Sequence, residues 1–72
     1  MTTPNRYWVV RRLYMGVPMD MAVTFETTDE NEQLTLITGI DECGVALNLA
    51  VYGGFSTQIE ATELANWLNE EL

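Results

Sequence analysis

A chain of 72 residues, 47% hydrophobic and 10% aromatic, has the composition of a folded domain, and its length allows one domain (1–72). One cysteine and no histidine exclude a disulfide and a structural zinc site within a single chain. The net charge of −8 is unevenly placed. Arg6, Arg11 and Arg12 are the only Lys or Arg residues and all eleven acids lie from Asp20 onward, so residues 1–19 carry +3 and residues 20–72 carry −11. Such a field repels nucleic acid and anionic lipid and attracts basic surfaces, although it also serves solubility.

Met1 to Asn5 reads as a polar lead-in that Pro4 keeps irregular. Arg6 to Met15, rich in β-branched and aromatic residues, reads as a strand. Each of its faces holds an arginine among apolar neighbours, so the inward face is open. Gly16-Val17-Pro18 breaks it with turn chemistry. Asp20 to Thr28 alternates as a second strand, with Met21, Val23 and Phe25 on one side. Asp29-Glu30-Asn31-Glu32 reads as a polar connection and Gln33 to Ile40 as a third strand. Asp41-Glu42-Cys43-Gly44 fits a type I turn closed by a glycine bulge. Gly44 to Tyr52 is the clearest strand by pattern, with Val45, Leu47, Leu49 and Val51 on one face.

Gly53-Gly54 ends that strand, and residues 58–71 read as a helix. Ala61, Leu64, Ala65, Leu68 and Leu72 fall at helical spacing, and Thr57 with Glu60 forms a capping-box pattern. The fold predicted is α+β: a four-stranded antiparallel β-meander with one C-terminal amphipathic helix on one face (ββββα). Its uncovered face would show Ala22, Thr24, Thr35, Ile37, Ala46, Asn48, Ala50 and Tyr52, a surface suited to a second sheet. A chain this short buries only about 60–65% of its unfolded surface, so a homodimer is expected.

Residues able to carry chemistry are few. Cys43 has no histidine to activate it, and Asp41 and Glu42 beside it disfavour a thiolate. The acids of 29–32 and of 41–42 are expected at opposite ends of neighbouring strands, too far apart to act as an acid–base pair. Asp29-x-Asn31-x-Gln33 starts like a calcium loop, but Leu34 stands where the glycine is needed. Gly53-Gly54 lacks the lysine of a phosphate loop. Arginines and aromatics interleave between Arg6 and Tyr14 as in single-strand binders, but the pattern is short and the remaining charge opposes direct nucleic-acid contact.

No enzyme, cofactor or metal is therefore expected. The reading is a small acidic non-enzymatic binding protein, an inhibitor or adaptor docking on a basic, nucleic-acid-binding protein surface. Phage anti-defence and anti-CRISPR proteins and DNA mimics work in this way. The alternative is a structural homodimeric β-sheet domain whose acidity serves only solubility. The partner-binding residues expected are Glu26, Asp29, Glu30, Glu32, Asp41 and Glu42, with Ile37, Tyr52 and Trp67 as apolar anchors; Trp67 is otherwise a core-boundary residue. No apolar run approaches the ~20 residues of a membrane span, and Arg11 and Arg12 interrupt what could be a signal-peptide core. With its lone cysteine the chain is expected in the cytoplasm, away from membranes.

Overall fold

Residues Tyr7–Tyr14 form β1, the strand to which all the other strands attach. The computed structural model describes residues 6–70; the lead-in 1–5, Glu71 and Leu72 lie outside the described residues. After β1 come β2 (Val17–Pro18), β3 (Val23–Glu26), α1 (Glu30–Thr38), β4 (Leu49–Phe55) and α2 (Gln58–Glu70). The class is α+β with four antiparallel strands, as the sequence suggests, but with two helices and no simple meander. β2 pairs Leu13 and Tyr14, β3 pairs Tyr7 to Val10, and β4 pairs Tyr7 to Arg12. Met15 and Gly16, at φ 51° and 81°, make the tight turn into β2; positive φ at both central residues matches the twist of a hairpin.

The main correction concerns Gln33 to Ile40, which is helix where a strand was expected. The Asp29 carboxylate accepts from the N–H groups of Asn31 (2.8 Å) and Glu32 (3.2 Å), capping the first turn. Gly39, at φ 73°, ends the helix by donating its N–H to the Thr35 carbonyl. These two caps outweigh the β-branched run between them. The turn at Asp41–Gly44 forms as expected, with Gly44 N–H on the Asp41 carbonyl at 3.0 Å. It connects an isolated Ile40–Ala46 bridge, not two long strands. The last strand is accordingly shifted to Leu49–Phe55, and Val45 is 59% exposed.

Side chains of opposed residues share a face of the sheet, so the register assigns both faces. Tyr7, Val9 and Arg11 lie with Phe55, Tyr52 and Ala50 on one face. Here α2 packs: Ala61 and Ala65 meet Val9 and Ala22, with Leu64, Leu68, Tyr7, Tyr52 and Phe55 around them. The other face carries Trp8, Val10, Arg12 and Tyr14, with Phe25, Val23 and Val17 opposite. The face expected to be open is therefore overturned. Tyr52 lies under α2, Thr35 and Ile37 are in α1, and Val23 and Phe25 are on the side away from α2.

Val9 is the one large side chain fully buried among the described residues. Asn69 of α2 fixes the segment before β3, accepting from Ala22 N–H (2.7 Å) and donating to Ala22 C=O (3.0 Å). Arg11, 8% exposed, donates Nε to the Asp20 carbonyl, while Arg12 pairs with the Asp20 carboxylate at 3.0 Å. Both arginines thus hold the same residue. Among the described residues, no helix is long and apolar enough to cross a membrane.

Candidate functional site

The acids that the sequence places in two separate turns come together around α1. A strand over Gln33 to Ile40 would have carried Asp41 and Glu42 about 27 Å away; a helix of that length advances about 12 Å. As a result Asp29, Glu32 and Glu42 line a single open cavity of about 300 Å³, whose apolar wall is Phe25 and Leu36. A second cavity of about 340 Å³ shares Asn31, Thr35 and Glu42 with the first and adds Leu34, Ile40 and Asp41. The expectation that these two acid groups lie apart is corrected by this geometry.

Local hydrogen bonds set the rim. Asp29 caps α1, and Asp41 accepts from the backbone N–H groups of Cys43 and Val45, each at 2.9 Å. Thr27, 6% exposed, donates its hydroxyl to Glu32 at 2.9 Å, and Gln33 donates to the Thr27 carbonyl. These bonds hold the first turn of α1 against the end of β3. Glu30 and Glu42 are exposed on the same element and the loop after it. The arrangement is an apolar floor with carboxylates around it. It can take an arginine or lysine, the alkyl stem lying on Phe25 and Leu36 and the charged head meeting the acids.

None of the chain's own arginines contributes to that rim. Arg6 pairs with Glu26 at 3.2 Å and donates to the Tyr7 hydroxyl at 2.7 Å, with its guanidinium 5.0 Å from the Tyr7 ring centre. The Tyr7 hydrogen bond first, and the Glu26 charge further down, raise the Arg6 pKa above its ordinary value. Arg11 and Arg12 are held by Asp20.

The expected anchors are dispersed. Ile37 is 69% exposed on α1, on a helix and not on the sheet surface predicted for it. Tyr52 is half-buried beneath α2. Trp67 is 55% exposed, so it stands clear of the core boundary. Glu26 is occupied by Arg6 outside the two cavities. Sequence reasoning missed Phe25, Leu36, Asn31 and Thr35. The pattern Asp29-x-x-Glu32 with Gly39 beyond, a helix start and stop, was the signal that would have found them.

Cys43 is exposed in the turn beside Glu42. Its backbone, but not its thiol, has a structural part there, since its N–H binds Asp41. Among the described residues no group of three or more His, Cys, Asp or Glu side chains has a metal-binding arrangement. In comparisons with protein-family models, with curated proteins and with solved structures, the chain finds no match.

Proposed function

We propose that this chain is a non-enzymatic acidic binding protein, an inhibitor or adaptor whose α1 cradle docks on a basic protein surface. The observation that carries the reading is the gathering of Asp29, Glu32, Asp41 and Glu42 around two adjoining cavities with apolar floors. The three arginines lie in the first twelve residues and there is no lysine, so the eleven acids from Asp20 onward far outnumber any internal counter-charge. A nucleic-acid-binding protein is the partner class with surfaces of the opposite sign. Phage anti-defence and anti-CRISPR inhibitors represent this mode of action. A local cradle fits a protruding basic side chain better than it imitates duplex DNA, which presents a charge every ~1.7 Å over a long row. A cytoplasmic setting, in which Cys43 stays a thiol, belongs to the same proposal.

The test is affinity capture from host lysate at low salt and at about 0.5 M, where exposed charges are screened beyond a few ångströms. A dye on Cys43, beside the cradle, then reports titration of each captured protein. Basic proteins retained at low salt, released at high salt and sensed by the dye support the proposal. A partner retained equally in both salts and silent at Cys43 overturns it.

A further inference from the structure

The outer edge of β4 is an unfinished ladder. Among the described residues, β4 pairs with β1 alone. Leu13 N–H binds the Asn48 carbonyl at 2.8 Å, so Asn48 turns its backbone toward β1, and this direction alternates along an antiparallel strand. Ala50 and Tyr52, opposite Arg11 and Val9, therefore turn theirs to β1 as well. Leu47, Leu49 and Val51 turn their N–H and C=O groups outward. The Leu47 N–H is taken by the Gly39 carbonyl, also at 2.8 Å, next to the Ile40–Ala46 bridge. The chain thus lays its own backbone on this edge once, and leaves Leu49 and Val51 in the same row without a partner among the described residues. We propose that an extended, basic segment of a partner protein adds to this edge as a further strand.

Three features specify that occupant. The first is the row itself, since outward N–H and C=O groups at alternate residues are matched by another extended backbone. The second is the lack of protection. Exposed edges are ordinarily blunted by lysine, proline or inward-pointing charge, yet residues 43–59 contain no Asp, Glu, Lys, Arg or Pro.

The third is what overhangs the edge. Asn69 of α2 reaches Ala22, on the β3 side of the sheet. At 100° per residue, Trp67 lies about 160° and Glu60 about 180° around the helix from Asn69, on the flank turned toward β4. Trp67 is 55% exposed, and Glu60 is exposed. Alternate side chains of an added strand would point to this flank, where an aromatic ring and a carboxylate call for apolar and cationic groups. A second copy of this chain would instead bring its own Glu60 and a net charge of −8 to the same margin, and like charge selects against it. The proposal takes from the preceding reading only the sign of the partner's charge, because Leu49 and Val51 line neither cavity of the cradle.

The probe is a display library of linear nine-residue peptides, selected against the full chain in about 0.5 M salt, which screens docking at the cradle. Selected peptides should alternate β-branched or aromatic residues with others, and should bind more tightly at low salt through Lys or Arg. Their binding should slow hydrogen–deuterium exchange at the Leu49 and Val51 amides, with Ala50 and Tyr52, already bonded to β1, as internal controls. Val51→Pro removes an outward N–H and no bond to β1, and should weaken binding by about tenfold or more. If that variant unfolds, N-methylation of the peptide carries the same test: methyl groups on one alternate set of amides should abolish binding, and those on the other set should be tolerated. Changing Asp29, Glu32, Asp41 and Glu42 to their amides should leave peptide affinity in about 0.5 M salt unchanged, so this proposal and the cradle fail separately. A library that yields no binder overturns the proposal. So do binders that tolerate methylation of both sets, that protect residues 30–38 in place of Leu49 and Val51, or that are acidic.

Discussion

Trp8 lies on the side of the sheet away from α2 yet is only 5% exposed, and its ring rests over Gly53 of β4. A Cβ added at Gly53 would stand 2.9 Å from Trp8 Cε3, and Gly53 sits at φ 142°, where other residues are strained. Gly53→Ala is therefore expected to destabilise the chain by about 1–3 kcal/mol, read as a lower unfolding midpoint in urea with a shifted tryptophan emission. Among the described residues, Trp8 Nε1 is buried without a hydrogen-bond partner. Asn69 is a second point of dependence. Removing its amide in Asn69→Ala leaves both the N–H and C=O of Ala22, 4% exposed, without partners, at a cost of about 2 kcal/mol. Asp20→Asn should cost under about 1 kcal/mol, because its pair with Arg12 is solvent-exposed and the Arg11 bond goes to the backbone. Equal effects of these two substitutions in the same urea titration would contradict the assignment.

The two helices show what could be read in the residues and what could not. α2 was legible because its apolar spacing agrees with its cap, although the Thr57 bond to Glu60 N–H is long, at 3.4 Å. α1 was not, because Leu34-Thr35-Leu36-Ile37-Thr38 has strand propensity and only the flanking Asp29 and Gly39 announce a helix. Thr35 and Thr38 turn their hydroxyls back onto the carbonyls four residues earlier, at 3.0 and 2.9 Å, so both hydroxyls are satisfied within the helix. The faces of the last strand were misread for a related reason. Alternation separates two faces but does not say which one meets a helix, and Tyr52, not Val51, faces α2. The acid groups of 29–32 and 41–42 were legible as residues, but their meeting depends on α1 being a helix. Asp29→Ala should cost about 1 kcal/mol, moving the thermal midpoint by about 4–8 °C, and should remove helical signal. Asp29→Asn should be near neutral, and Thr57→Ala smaller than Asp29→Ala, since its bond is weaker.

At the scale of the molecule, the acids gathered around α1 act through their combined charge. Converting Asp29, Glu30, Glu32, Asp41 and Glu42 to their amides keeps every acceptor oxygen that caps α1 or the turn. The fold should persist, association with a basic protein should slow more than its release quickens, and the salt dependence should flatten. Stopped-flow titration with the Cys43 dye checks this. If the rates are unchanged, recognition lies elsewhere, at Ile37 or Trp67 on the helices.

α1 keeps a single buried side chain, Leu36, at 9% exposure, whereas β1 is paired along both of its edges. Its amides should therefore exchange with solvent through local opening, long before the sheet amides do. A ligand on the cradle would close that fluctuation, so hydrogen–deuterium exchange should slow in residues 30–38 first and leave β1 unchanged. The cradle thus rests on less buried surface than the central strand does, and its occupant would complete its folding.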